Sequence, residues 1–180
     1  MKFNGLMPLL ALAYLVAAVL CILISQYRAV GNEALTVEDT AWQIFSAGLF
    51  LMAAYTFLGG EQALVVWLRG LARTEGWYEL RRPIQVMALV VMLVAGFQGF
   101  SRVWSIALRG ELPLALALAI AGMGMLTLVF CLHLVSYHYT DAVLDHDLSG
   151  LRVARWLELG GLGLVLLGAL RKLMFAYSLR

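Results

Sequence analysis

Imidazole and carboxylate side chains cluster in one stretch, where all three histidines of the chain lie: His133, His138 and His146. His138, Asp141 and Asp145 are three and four residues apart, so on a continuous helix they would share one face. An imidazole and two carboxylates could bind a divalent metal ion, so the spacing predicts a candidate metal site. The alternative interpretation is a helix end with solvated charges, because the stretch contains no specific metal-binding motif.

His133 ends an uncharged run over residues 112–132 and is the candidate cofactor ligand. A polar side chain within an apolar helix faces a partner or a cavity, and imidazole is a common axial ligand of haem. No other apolar segment contains a histidine, so a haem, pigment or quinone at His133 would be shared with a partner subunit. The alternative is a hydrogen bond to Ser136, Tyr137 or a neighbouring helix, because the side chains one turn earlier are apolar.

Two further charges fall within or beside apolar segments. Glu61 follows Gly59 and Gly60, and if buried it would suit a proton relay or an ion site; we interpret it as interfacial. From the helical rise of about 1.5 Å per residue, Glu61 lies about 12 Å from the cytoplasmic end of its span. Arg102 lies about 27 Å from the same side, so it is expected at the opposite interface. These two side chains are therefore not expected to pair within one subunit.

Composition predicts the environment of these residues. The chain has 180 residues, of which 63% are hydrophobic and 13% charged. A soluble domain has about 45–50% apolar and about 25% charged residues, and a core of this size could not bury the excess. The sequence therefore predicts an all-α integral membrane protein with one domain over residues 1–180. A net charge of +2 does not suggest a nucleic-acid partner, so the expected partners are membrane lipids and other integral membrane subunits.

Apolar segments predict a bundle of five membrane-crossing helices, each spanning about 30 Å of hydrocarbon. The expected spans are residues 6–25, a second from residue 41 to either 60 or 68, 84–108, 114 to about 137, and 156–177. The fourth helix could continue outward as far as residue 148. The last segment has only a short uncharged centre, so the alternative is four spans with a re-entrant or interfacial C-terminal helix.

The arginine-rich stretch over residues 69–82 indicates the orientation, because loops rich in Lys and Arg stay in the cytoplasm. It places the N-terminus in the cytoplasm with either four or five spans. Arginine rather than lysine dominates the cations, and with abundant Leu, Ala, Gly and Val this favours a bacterial source. The predicted location is therefore the bacterial inner membrane.

The motifs of common enzymes are absent: there is no phosphate-binding glycine loop, HExxH, nucleophile elbow or triad order. Small residues that let helices pack closely are plentiful in the spans. They are Gly96, Gly99, Ser101, Gly122, Gly124, Gly160, Gly161, Gly163 and Gly168. The sequence predicts a non-catalytic subunit that assembles with or stabilises a larger membrane complex; electron-transfer and photosynthetic assemblies are candidate hosts. The alternatives are a membrane redox or metal-dependent enzyme using the histidine cluster, and a small transporter using Glu61.

With five crossings the two termini lie on opposite sides of the membrane, because an odd number of spans reverses the chain. Cysteines introduced at Asn4 and Ser178 should therefore react with a membrane-impermeant thiol reagent from opposite sides. The unsubstituted chain gives the background labelling, since Cys21 and Cys131 lie inside apolar segments. Labelling of both positions from the same side would leave four crossings.

Overall fold

The computed structural model describes residues 6–29, 37–60, 66–67, 70, 74, 81–110, 112–135, 144–148 and 150–178. This part of the chain is mostly helical, as predicted. Its five long helices are α1 (Leu6–Ala29), α2 (Val37–Phe57), α3 (Arg81–Leu108), α4 (Leu114–Val135) and α5 (Val153–Ser178). A two-stranded antiparallel hairpin, β1 (Asp147–Leu148) and β2 (Leu151–Arg152), precedes α5.

Three of the helices are long and apolar enough to cross a membrane. The qualifying stretches are Met7–Gln26 of α1, Leu114–His133 of α4 and Val153–Phe175 of α5, with mean hydropathies of 2.7, 2.4 and 1.6. The last segment, whose uncharged centre is short, thus forms one continuous helix of sufficient length. Among the described residues α2 and α3 do not qualify, so the prediction of five crossings is not supported.

α1 and α2 form one tightly packed helix pair. Small residues on α1, including Ala17 and Ala18, are buried in the same core as the fully buried ring of Trp42 on α2. The buried Ser46 hydroxyl of α2 donates a hydrogen bond of 2.8 Å to the Ala18 carbonyl oxygen of α1. This bond joins the two helices through a main-chain group, which fixes their relative register.

α4 and α5 form the second pair, and glycines set how closely they approach. A Cβ added at Gly122 would overlap the Gly161 carbonyl oxygen and lie 2.9 Å from the Val165 nitrogen. A Cβ at Gly168 would overlap the Ala115 carbonyl oxygen. Small residues therefore bring the two backbones into direct contact, as small-residue rows do in membrane helix pairs. The buried side chains of both pairs form one core, with Leu49, Leu126 and Val165 among them.

α3 lies outside this four-helix core. Its main described contact is with α4, and none of its described side chains is buried. No described atom lies within 4 Å of a Cβ built at Gly96 or Gly99. The small residues of α3 are therefore not used for packing among the described residues.

Two glycines with positive φ lie where the chain ends a helix or reverses its direction. Gly59, at φ +65°, closes α2, so the second helix ends near residue 60 rather than 68; Glu61 lies outside the described residues. Gly150, at φ +86°, turns β1 back onto β2. The predicted continuation of the fourth helix to residue 148 is therefore wrong at its end, because Asp147–Leu148 pairs with Leu151–Arg152 instead.

Gly122→Ala should lower the free energy of unfolding by about 1–3 kcal/mol, because the added methyl group forces α4 away from α5. Gly124→Ala is the matched control, since it lies two residues along α4 with no described atom within 4 Å. The control should be neutral, or more stable by up to about 1 kcal/mol through its higher helix propensity. Unfolding of the purified protein by SDS titration in mixed micelles measures both. Equal stabilities of the two variants would contradict the close approach of α4 and α5.

Candidate functional site

A cavity of about 190 Å³ lies between the beginnings of α1 and α5 and the ends of α2 and α4. The antiparallel arrangement of neighbouring helices brings these four helix ends together at one end of the core. Polar side chains from all four helices line the cavity: Tyr14, Tyr55, Thr56, His133, Arg155 and Glu158. Apolar side chains, among them Met52, Leu126 and Phe130, complete its wall.

An ion pair at the start of α5 supplies the charges of the cavity. Arg155 Nη1 lies 2.6 Å from Glu158 Oε2, and the side chains are only 21% and 14% exposed. A spacing of three residues puts both on one face of the helix, so the pair forms within α5 itself. Arg155 Nη2 also donates to Met7 Sδ at 3.5 Å. The guanidinium thereby links the start of α5 to the start of α1.

His133 lies near the end of α4, and its Nδ1 is 2.9 Å from the Val129 carbonyl oxygen. A carbonyl oxygen can only accept a hydrogen bond, so Nδ1 carries the proton in this contact. In the neutral imidazole, Nε2 is then a hydrogen-bond acceptor. The side chains one turn before His133 are apolar, so the sequence predicts no hydrogen-bond partner there. This expectation is wrong, because the main-chain carbonyl oxygen of Val129 accepts the hydrogen bond. Beside it, Phe130 meets Tyr55 of α2 edge to face, with ring centroids 5.1 Å apart.

Tyr14 brings a buried phenol to the same cavity from α1. Tyr14 is only 3% exposed, and it interacts electrostatically with the charges of Glu158 and Arg155. Among the described residues, its hydroxyl makes no hydrogen bond. Buried polar groups almost always have a partner, which makes this hydroxyl a candidate binding group of the cavity.

The residues predicted as a metal site are not brought together by the described part of the chain. Asp145 lies in a turn after Leu144, and its Oδ1 accepts a hydrogen bond of 2.9 Å from Arg152 Nη1. His146 is exposed next to it. His138 and Asp141 lie outside the described residues. The described residues contain no group of three or more His, Cys, Asp or Glu side chains that could hold a metal ion.

Among the described residues, His133 is the one candidate predicted from the sequence that lines the cavity. Arg102 is exposed on α3, and Glu61 lies outside the described residues. The sequence reasoning missed Tyr14, Arg155 and Glu158. Signals for them existed: Glu158 is an acidic residue within the expected fifth span, three residues after Arg155, and Tyr14 is a phenol in the middle of the first span.

The size of the cavity limits what it can hold. Pockets for drug-sized ligands measure about 300–1,000 Å³, and this cavity is smaller. A haem or chlorin macrocycle therefore does not fit inside it, whereas one substituted six-membered ring does. Among the cofactors predicted for His133, a quinone has a ring of this size.

No protein-family model, curated protein or solved structure matches this chain. Its function is therefore inferred from its own residues.

Glu158→Gln should lower the free energy of unfolding by about 1–3 kcal/mol, because it leaves the mostly buried Arg155 without its nearest carboxylate. Asp145→Asn is the matched control: it breaks the ion pair with Arg152, whose side chains are 62% and 58% exposed. Such an exposed pair contributes less than about 1 kcal/mol. Thermal unfolding of both variants in detergent compares them. A loss as small in Glu158→Gln as in Asp145→Asn would show that the cavity ion pair is not a structural contact.

Proposed function

We propose that this chain is a non-catalytic integral membrane subunit that assembles with, or stabilises, a larger complex of the bacterial inner membrane. It crosses the membrane five times, with its N-terminus in the cytoplasm. An electron-transfer complex is the host that we favour, because the cavity at the end of the four-helix core suits a quinone. The observation that carries the proposal is the face of α3 on which the described side chains are exposed.

Large apolar side chains on the outside of the helices support the membrane location. Examples on three different helices are Leu51 at 70%, Phe97 at 73% and Met174 at 73% exposure. Soluble monomers rarely expose contiguous apolar patches larger than a few hundred Å². Lipid or a partner helix covers such surfaces without cost, and three helices already have the length and hydropathy of a span.

Three polar residues of α2, Glu38, Asp39 and Ser46, are compatible with a crossing, because they are mostly or fully buried inside the protein. Glu38 Oε1 lies 2.6 Å from Lys172 Nζ of α5, and both side chains are about four-fifths buried. Asp39 is buried, and the Ser46 hydroxyl is bonded to α1. These residues lower the hydropathy of α2, but they present little polar surface to lipid.

On α3, two exposed polar side chains share one face of the helix. Gln98 and Arg102 are one turn apart and exposed, and among the described residues neither side chain has a hydrogen-bond partner. By the helical rise, Gln98 lies about 15 Å from the end of α3, deep within a span. An amide there costs several kcal/mol unless it is hydrogen-bonded, which favours a partner helix over lipid. The adjacent Gly96 and Gly99 would let that helix approach closely.

The proposed occupant of this face is therefore a transmembrane helix of a different subunit that offers a hydrogen-bond partner to Gln98. Gly99→Leu should reduce co-purification of that subunit about fivefold or more, because a large side chain prevents close approach. Extraction from native membranes with a mild detergent, followed by native gels and native mass spectrometry, measures the fraction of the chain that migrates in a complex.

Gly124→Leu is the matched control, because this glycine of α4 is also exposed with no described atom within 4 Å. It should assemble as the wild type does. A wild-type chain that travels alone would refute the proposal, and so would full assembly of Gly99→Leu.

A further inference from the structure

The Tyr14 hydroxyl identifies what the cavity binds. The phenol is buried in the core, lines the cavity and makes no hydrogen bond among the described residues. Leaving a buried hydroxyl unsatisfied costs about 1–3 kcal/mol, which an occupant of the cavity would recover. A hydroxyl at a cavity wall most readily donates, so the occupant offers an acceptor oxygen at that point.

The charges that the described lining residues bring to the cavity favour a neutral occupant. Arg155 and Glu158 compensate each other at 2.6 Å, so the ion pair attracts neither an anion nor a cation strongly. A phosphate or carboxylate would have to compete with Glu158 for the guanidinium, and would be repelled by it. A neutral carbonyl oxygen can accept from Tyr14 without disturbing the pair.

The apolar part of the wall and the volume limit the shape of the occupant. Met52, Leu126 and Phe130 face the same space, and Phe130 is held edge to face by Tyr55. A flat ring fits between thioether and aromatic groups, which contact ring edges and faces favourably. At about 190 Å³ the cavity accepts one substituted ring, and any long tail must leave it between the helices.

We propose that this cavity binds the headgroup of a membrane quinone, with one ring carbonyl oxygen accepting a hydrogen bond from the Tyr14 hydroxyl. The chemistry is that of a neutral, flat dicarbonyl ring with an apolar tail. Tyr14 is a binding residue here, and no electron transfer is assigned to the protein. The inference rests on the membrane location in the proposed function, but not on the assembly with a partner through α3.

The test uses the purified full chain in detergent micelles and decylubiquinone as the probe. Ligand that binds only the folded state raises the thermal unfolding midpoint in a saturable way, and the titration yields a dissociation constant. Decylbenzene, which has a similar ring and tail without carbonyl oxygens, should give no saturable shift. Tyr14→Phe should weaken decylubiquinone binding about three- to tenfold, which is the loss of one hydrogen bond.

Two controls separate binding from folding. Without ligand, Tyr14→Phe should unfold at the same or a higher temperature than the wild type, because it keeps the ring and removes an unsatisfied hydroxyl. Thr127→Val removes a hydroxyl that is exposed on α4 and bonded to its own helix at Met123, so the affinity should stay unchanged.

If the cavity holds only water, decylubiquinone should cause no saturable shift of the thermal unfolding midpoint. That result would overturn the inference. Equal affinities of Tyr14→Phe and the wild type would overturn it as well. Neither result would affect co-purification through α3, because Gly99 lies on a different surface from the cavity. Failure of this inference is therefore distinguishable from failure of the proposed function.

Discussion

The close approach of α4 and α5 is the constraint on which the rest of the structure depends. Gly122 and Gly161 face each other, and Gly168 faces Ala115, with no space for a side chain between the backbones. In the proposed membrane location there is no hydrophobic driving force between helices, so such van der Waals contact contributes much of the association energy. It also fixes the start of α5 beside the end of α4, which brings Arg155 and Glu158 to the same cavity as His133.

The second helix pair completes the core by a different device. α1 and α2 combine a large ring, Trp42, with a hydrogen bond from Ser46 to a main-chain carbonyl. Polar contacts then join the elements at the two ends of the core: Glu38 with Lys172 links α2 to α5 at one end, and Arg155 with Met7 links α5 to α1 at the other. The middle of the core is apolar, so polar contacts at its ends determine how the helices are aligned along their axes.

Small residues in this chain either pack against a neighbouring helix or meet no described atom, and the functional argument rests on this difference. Gly122, Gly161 and Gly168 of α4 and α5 pack against the facing helix, whereas Gly96 and Gly99 of α3, like Gly124 and Gly163, meet no described atom within 4 Å. α3 also exposes Gln98 and Arg102. Surrounding such a helix with lipid alone costs free energy, because its outward polar groups would lack hydrogen-bond partners. This asymmetry separates a four-helix core, which contains the cavity, from a fifth helix that we assign to assembly.

The sequence by itself determined the helical class, the apolar helices and most of their limits, because a long apolar run and a glycine or proline turn are local properties of the chain. It also identified His133, whose polarity stands out in an uncharged run. Only the tertiary structure decided that Tyr14, Arg155 and Glu158 join His133, and that Asp145 pairs with Arg152. The physical reason is the rotation of each helix about its axis. The central parts of α4 and α5 carry no charge on any side, so no periodicity indicates which face packs inward. That choice is made by the fit of one backbone against another, at Gly122 and Gly161.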